Sequence, residues 1–449
     1  MIEFSTSVII LSAGFGTRMK SKIPKVLHKI CGKEMLACII DEVSKISDDI
    51  HIILYNEAEL IKQILNDKYP NNNFHFHLQN HQSYPGTAGA LMKGYGENPK
   101  DLIDIKYHKT LILSGDMPLV ESATLQDFIN SDFDITLGIL ELENASGYGR
   151  VVLNDDKVIE IIEEKDASLE IQQIRFANGG IYCIKKDILS KYLPILESNN
   201  KQNEFYLTDI ISLARNDNCD ILGIKAKEEI FIGVNSKIDL ARAENLMLDK
   251  IRLRAMKNGV TLRIPQSIYI ECDVEFIGEC EVESNSVLKG NTKIINSIIH
   301  SNTIIENSII ENSTIGPFAR IRPKSTILDS HIGNFVEIKA SNLNGVKAGH
   351  LSYIGDSEID SGTNIGAGVI TCNYDGVKKH KTIIGKNVFV GSDCQLIAPL
   401  TIGSNVLIAA GSSVSRNAKD GDLVISRAKQ ENKSGFYYKF FNSNTKEKK

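Results

Sequence analysis

The feature that most constrains this chain is a six-residue period in its second half. Ile270, Phe276, Val282, Leu288 and Ile294 recur at every sixth position, as do Ile315, Ile321 and Ile327. The period returns in Ile384, Val390, Leu396, Ile402, Ile408 and Val414. A small or polar residue usually follows, as at Gly316, Gly385, Gly391, Gly403 and Ala409. A helix repeats at about 3.6 residues and a strand at about two, so neither alone gives this spacing. A fixed hexapeptide period predicts a parallel β-helix, whose stacked coils share one core and turn one aliphatic residue inward on each flat side. Such coils often serve assembly alone, so the repeat by itself specifies no chemistry. The frame slips between Ile338 and Ile354, and again between Ile370 and Ile384. In and around these slips lie Glu337-Ile338-Lys339, Lys347 to Tyr353, Asn364 to Ala367, and Thr371 to Gly376. A departure from a regular coil marks a place to look for function.

The first half has another rhythm. From residue 1 to about 237, short apolar runs such as Ile50–Leu54, Thr110–Ser114 and Asp134–Leu140 alternate with amphipathic stretches. Strand–helix alternation predicts an α/β domain with a parallel sheet, helices on both faces, and ligands beyond the carboxyl ends of the strands. Ser236 to Lys257 reads as one helix. Asn235 or Ser236 can cap it, Asp239 stands in its first turn, and Asn258-Gly259 ends it. Leu240, Ala243, Met247 and Ile251 recur along it at helical spacing. The expected division is 1–237, a helical linker 238–258, and 259–449.

The strand candidate Val8–Leu11 breaks into Ser12-Ala13-Gly14-Phe15-Gly16-Thr17-Arg18-Met19, followed by Ile23-Pro24-Lys25-Val26-Leu27. Gly14 and Gly16 let the backbone approach an anionic ligand, and Arg18 and Lys25 place two cations beside the loop. No Gly-Lys-Ser/Thr follows, so this is not a Walker loop. A second run, Thr110–Ser114, delivers Gly115-Asp116-Met117-Pro118. A lone carboxylate at a strand end near a phosphate loop suits Mg²⁺, which takes few protein oxygens and completes its shell with phosphate and water. The 449 residues imply two or three domains, and the net charge of −5 gives nucleic-acid binding no support. Eight scattered cysteines without a C-x-x-C pair favour reduced thiols. No secretory signal or membrane-spanning run is evident, so a cytoplasmic location without membrane association is expected. The basic end, Lys446 to Lys449, reads as a solvated tail.

The glycine loop with Arg18 and Pro24-Lys25 resembles the signature of the sugar-nucleotide pyrophosphorylases. With the hexapeptide coils, nearly the whole chain resembles the bacterial bifunctional N-acetylglucosamine-1-phosphate uridylyltransferase/glucosamine-1-phosphate N-acetyltransferase family. The resemblance implies a Rossmann-like nucleotidyltransferase domain, a linker helix and a left-handed parallel β-helix with three hexads per turn. It implies UTP, acetyl-CoA, glucosamine 1-phosphate and N-acetylglucosamine 1-phosphate as substrates, Mg²⁺, a homotrimer, and a product that feeds cell-wall and lipopolysaccharide synthesis. In the first site it points to Leu11, Ser12, Ala13, Gly14, Lys25, Ser114, Gly115 and Asp116, with Asn235 as second metal ligand. Gln79, Gly86 and Thr87 resemble the base-reading part. Gly149, Glu163 and Asn178 match the sugar side, with Glu164 an alternative to Glu163; Glu204 to Asp209 resembles the site wall. Arg18 and Lys25 would neutralise charge during uridylyl transfer. In the second half, His350 would be the base that deprotonates the amine, since imidazole titrates near neutrality, and Asn373 could orient its ring. Arg322 and Lys339 would hold the sugar phosphate, joined by Tyr353, Asn364 and Lys379. Ala367, Asn373, Tyr374, Ser392, Ala410 and Arg427 match acetyl-CoA contacts. A single-activity pyrophosphorylase with a structural coil, and a non-catalytic assembly subunit, are the competing readings.

Overall fold

The computed structural model describes residues 4–154 and 157–444; the basic end Lys446–Lys449 lies outside them. The chain divides into two compact units, Met1–Lys250 and Ile251–Lys449. In the first, the strands of the main sheet are β1 (Thr6–Leu11), β2 (Ile50–Leu54), β3 (His75–Leu78), β4 (Lys109–Ser114), β5 (Ile135–Glu141), β6 (Arg150–Asn154), β7 (Lys157–Ile162), β8 (Phe176–Lys185) and β9 (Ile221–Lys225). They pair in the order β9-β5-β8-β4-β1-β2-β3, with the antiparallel β6–β7 pair attached to β8. The sheet is mixed, not wholly parallel. β1 runs parallel to β2 and β4, but β8 is antiparallel to both β4 and β5. A parallel return needs a crossover, usually a helix. Between β5 and β8 the described residues hold only the β6–β7 pair and a 3-10 turn, Ile171–Gln173.

Nearly continuous apolar runs form β1, β2, β4 and β5 because both faces are covered there. Val8 and Ile10 pack with Leu36, Ile39 and Ile40 of the helix Met35–Val43. Ile9 points to the other face, toward a cluster with Leu189, Ile210 and Ile211. Each such side chain contributes about 1.5–3 kcal/mol by burial.

The helix Lys237–Lys257 begins with a reciprocal cap. The Asp239 carboxylate accepts the N–H groups of Asn235 and Ser236 at 3.0 and 2.8 Å, and the Asp239 N–H donates to Ser236 Oγ at 3.2 Å. At the other end the Val260 N–H donates to the Ala255 carbonyl at 3.1 Å, around a left-handed Gly259. Ala243 is fully buried in a cluster with Met19, Met35, Leu119 and Val234, so the early turns of this helix are part of the first unit's core.

The second unit stacks three parallel sheets of ten, nine and eight strands into a left-handed β-helix. Ile305, Ile321, Ile338 and Ile354 form one fully buried column, and Ile294, Ile310 and Ile327 another. The corners take left-handed backbone, often at asparagine (Asn296, Asn302, Asn307, Asn312), a residue that tolerates it. Buried serines tie coil to coil: Ser313 N donates to Ser297 Oγ at 3.0 Å, and Ser330 N to Ser313 Oγ at 2.9 Å.

Three frame readings are corrected. Ile338 and Ile354 are direct partners sixteen residues apart, but so are Ile305 and Ile321, so that spacing is an ordinary coil. Ile370 faces outward at 43% exposure, and Thr371 takes its place inside the column above Ile354. Phe276 is only half-buried, unlike the other members of its hexad series. The true departure follows Cys372, where an inserted loop precedes the strand Thr382–Ile384. Thr371 is polar in an aliphatic column because its Oγ1 accepts the Gly355 N–H at 2.7 Å.

Thr371→Val keeps the shape but leaves that buried N–H unpaired. The expected loss is about 1–3 kcal/mol, read from urea unfolding of the β-helix, with most of it recovered in Thr371→Ser. An unchanged midpoint in the valine variant would show that this bond carries no weight.

Two candidate active sites

β1 and β4 lie side by side with Leu11 opposite Ser114, so their carboxyl ends deliver Ser12–Gly14 and Gly115-Asp116 to one place. There a cleft of about 420 Å³ opens, lined by Leu11, Ser12, Ala13, Gly14, Lys25, Gln79, Gly86, Thr87, Ser114, Asp116, Glu163 and Asn178 among the expected residues. Gly16 has a φ of +59°, and a Cβ there would stand 2.7 Å from Lys25 Cβ, so glycine is what lets Lys25 pack against the loop. Gly115 packs beneath the cleft: its Cβ would meet Ser12 Oγ at 2.2 Å. Arg18 is exposed and is not among the lining residues.

The Lys25 ammonium donates to the Asp116 carboxylate and, at 3.2 Å, to Asn235 Oδ1. The Val234 N–H donates to the Asp116 carbonyl at 2.9 Å, which fastens the Asn235 segment beside the end of β4. Two hard oxygens thus converge on a single cationic point. That donor set fits Mg²⁺, which accepts one or two protein oxygens and leaves its other positions to phosphate and water.

Gln79 is buried, and its amide donates to the carbonyls of Tyr84 and Gly86, each at 3.0 Å. Both N–H groups are spent, so only its oxygen remains to read a base. A glutamine side chain can otherwise both donate and accept. Thr87 Oγ1 accepts the Leu207 N–H at 3.0 Å, locking the base-side loop to the far wall. Glu163 faces the cleft and accepts from Thr208 Oγ1 at 3.1 Å; burial holds its carboxyl above the ordinary range. Glu164 instead pairs with Arg150 at 2.6 Å, an arginine only 2% exposed. Asn178 donates to Tyr182 Oη at 2.6 Å and accepts the Gly180 N–H at 3.1 Å. Its own N–H donates to the Gly149 carbonyl at 2.8 Å. A Cβ on Gly149 would lie 3.4 Å from the Glu163 carboxylate, so these three expected sugar-side residues are neighbours.

Phe15, His81 and Tyr182 also line the cleft and were missed in sequence; Glu204, Leu207 and Thr208 line it from the segment read only as wall. Phe15 and His81 stand just after strands, and Glu204, Leu207 and Thr208 just before a helix, whereas Tyr182 lies within β8 and carries no such signal. Phe15 and His81 meet edge-on at 5.2 Å, and His81 stacks on Tyr55 at 5.0 Å.

In the β-helix, register does the assembling. Ala348, Ile365, Val390 and Ile408 pair in succession, so the residues two further on, His350, Ala367, Ser392 and Ala410, fall in one column at a corner. Arg427 Nη1 donates to the Ala410 carbonyl at 2.9 Å. Asn364 stands opposite Lys347 in the same sheet. His350 is exposed, and among the described residues no side chain hydrogen-bonds to its imidazole. In the next sheet Ile321, Ile338 and Ile354 pair, which aligns Arg322, Lys339 and Gly355. The Lys379 ammonium beside Lys339 lowers the Lys339 pKa, and burial and Arg322 add to the effect. Arg322 pairs with Glu337 at 2.9 Å. Tyr353 Oη and Asn373 Nδ2 both crowd Gly355, where a Cβ would meet them at 2.5 and 2.7 Å. The Asn373 amide donates to Asp356, not to His350 as expected, because the inserted loop turns it toward the coil below. Tyr374 is exposed on that loop and donates to the Gly376 carbonyl at 2.6 Å.

Beside the first cleft, burial with Asp166 nearby pushes the Asp209 carboxyl up to about 6, against 3.8 for the free group. The folded protein therefore favours the protonated form. Its stability contribution is present below about pH 4 and is lost as pH rises through about 6. Asp209→Asn is expected to be more stable than the parent at pH 8 and to flatten this loss, measured by thermal unfolding between pH 4 and 8. Parallel pH profiles for the two proteins would refute the assignment.

Residues 7–228 match the nucleotidyl transferase family, and residues 381–416 match the bacterial transferase hexapeptide family (six repeats). The bifunctional protein GlmU of a Nitratiruptor species is 54% identical over 440 residues, spanning 98% of this chain and 100% of that one. GlmU of Helicobacter hepaticus is 54% identical over 451 residues, spanning 99% of each. GlmU of Wolinella succinogenes is 49% identical over 437 residues, covering 97% and 99%. With identity sustained across both units, the chain belongs to the bifunctional GlmU family.

Proposed function

We propose that the two sites act in succession to make UDP-N-acetylglucosamine. The β-helix transfers the acetyl group of acetyl-CoA to glucosamine 1-phosphate. The α/β unit then joins N-acetylglucosamine 1-phosphate to the uridylyl group of UTP and releases pyrophosphate. The observation that carries this reading is full-length membership of a bifunctional family by a chain whose two units each gather a charged site.

In the α/β unit the sugar phosphate attacks the α-phosphorus of UTP, and the bond to pyrophosphate breaks. The nucleophile is already ionised, so no general base is required. Two anions must meet, and the protein's task is alignment and charge neutralisation. Lys25 supplies positive charge within the cleft, and Arg18 a second cation on the exposed side of the same loop. Asp116 and Asn235 would hold Mg²⁺, which when bound supplies further positive charge at the phosphates. Leu11 to Gly14 and Ser114 wall the nucleotide. Gln79, with only its oxygen free, accepts the ring N–H of uracil and disfavours a base presenting a lone pair there. Gly149, Glu163 and Asn178 take the sugar side.

In the β-helix His350 accepts a proton from the glucosamine amine as its nitrogen attacks the thioester carbonyl; the carbon–sulfur bond breaks and coenzyme A leaves. An imidazole without an internal partner is free to act this way. Arg322, Lys339 and Lys379 form a cation cluster suited to the sugar phosphate, with Tyr353 and Asn364 on the sugar. Acetyl-CoA lies along the corner column of Ala367, Ser392 and Ala410, with Asn373, Tyr374 and Arg427 beside it. The active assembly is a homotrimer in the cytoplasm, packed through the flat faces of the coils.

Asp116→Ala is expected to abolish pyrophosphate release from UTP while acetylation continues; near-parental uridylylation would sink the metal assignment. His350→Ala is expected to cut acetylation by about 10²–10⁴-fold and to leave uridylylation unchanged, measured as thiol release from acetyl-CoA. Acetylation at the parental rate with saturating acetyl-CoA would make His350 a surface residue of the coil.

A further inference from the structure

Three adjacent strands each release one aromatic ring at the carboxyl edge of the sheet, the side on which such sheets bind ligands. Phe15 follows β1, Tyr55 follows β2 and His81 follows β3; Leu11 of β1 lies opposite Ile53, and Leu54 of β2 opposite Leu78. The ring centroids are 5.3 Å (Phe15–Tyr55), 5.2 Å (Phe15–His81) and 5.0 Å (Tyr55–His81) apart. Three nearly equal separations put Tyr55 and His81 on the same side of Phe15. Those two rings are within 29° of parallel, and Phe15 stands at 79° and 80° to them, the edge-to-face geometry that aromatic rings prefer. Tyr55 packs against the cluster of Ile9, Ile53 and Ile112, so the trio is anchored in the core. Phe15 lines the cleft and is still 52% exposed. The pair thus holds the ring from one side and leaves a face of it to the cleft.

We propose that Phe15 is the platform on which the uracil ring of UTP stacks, a binding residue that supplies affinity where Gln79 supplies choice. The inference rests on the base-reading role given to Gln79 above. His81 stands two residues beyond Gln79, and its N–H donates to the Gln79 carbonyl at 3.0 Å. Phe15 lies between Gly14 and Gly16 of the loop that approaches the phosphates. The trio therefore joins the phosphate end of the cleft to its base-reading end. A Cβ on Gly14 would meet nothing within 4 Å, so the space beside Phe15 is open. Of the other rings lining the cleft, Tyr182 is bonded to Asn178 on the sugar side, and His81 is stacked on Tyr55. Phe15 is left as the ring free to cover a base. A half-exposed phenylalanine gives up part of its burial stabilisation, and a base laid on it returns that gain when the ligand binds. Every base has a π-face, so stacking discriminates little between bases. Choice falls to the Gln79 oxygen, which accepts the ring N–H.

The test compares UTP with 5,6-dihydro-UTP, whose base keeps the ring N–H but is puckered and has lost its aromatic face. Pyrophosphate release by the full chain is measured at saturating N-acetylglucosamine 1-phosphate and Mg²⁺. The parent should show a lower KM for UTP than for the dihydro analogue. Phe15→Ala should raise the KM for UTP by about 5–100-fold, the usual worth of base–aromatic stacking, and should treat the two nucleotides alike. Its kcat and its KM for the sugar phosphate should stay near parental, the pattern of lost uniform binding, and Phe15→Tyr should restore the KM for UTP. The chain has no tryptophan, so Phe15→Trp places a single indole at the cleft. UTP with Mg²⁺ should quench its fluorescence, and dihydro-UTP or inorganic tripolyphosphate should not. An unchanged KM for UTP in Phe15→Ala, a parental preference for UTP over dihydro-UTP in that variant, or equal quenching by tripolyphosphate would overturn the platform. A parent that turns over no UTP would refute uridylylation itself, and the indole titration, which needs no turnover, still decides the stacking.

Discussion

Backbone hydrogen bonding between parallel strands is the constraint on which both units depend. In the α/β unit it sets β1 beside β4 in register, so two loops far apart in sequence leave the sheet at the same edge. Ser12–Gly14 and Asp116 become neighbours for that reason alone. In the β-helix the same bonding has a different consequence. Each coil repeats the one below, so a residue type at one corner is stacked on its equivalents in neighbouring coils. His350, Ala367, Ser392 and Ala410 come together through register and not through any direct bond between their side chains. The antiparallel β8 is the exception that shapes the first cleft. Its pairing with β5 shifts register between Asn178 and Tyr182, and both residues line the cleft.

Charge is handled differently in the two sites. Lys25 and Asp116 are 14% and 9% exposed and are paired. Removing either partner strands a poorly hydrated charge, which costs more than the pair itself contributes. Asn235 adds a neutral oxygen to the same cation, so the cleft keeps its balance before any ligand arrives. In the β-helix, Lys339 and Lys379 sit close enough to depress the Lys339 pKa, and only Glu337 pairs directly with the nearby Arg322 among the described residues. Like charges held together by a rigid coil are relieved by an anion. The first site is neutralised from within, and the second keeps an excess of positive charge near its surface.

How much was legible in sequence follows from the range of each interaction. The hexapeptide period, the run Val8–Leu11, the glycine loop and the capped helix Lys237–Lys257 are local patterns set by side-chain spacing, and sequence determined them. The glycine loop with Lys25 and the Asp116 at the end of an apolar run were legible as motifs, and the family resemblance they carry pointed to the rest of the twelve expected cleft residues. The direction of β8, the inward turn of Thr371 in place of Ile370, and the choice of Glu163 over Glu164 for the cleft were decided by tertiary structure. So was the turning of Asn373 toward Asp356. Each depends on a partner distant in sequence: β4 and β5, the Gly355 N–H, the buried Arg150, the coil below. Neighbouring glutamates look alike along a chain, and only a buried guanidinium tells them apart. Spacing along the chain encodes which residues share a face, whereas cross-strand register and burial decide which of them meet.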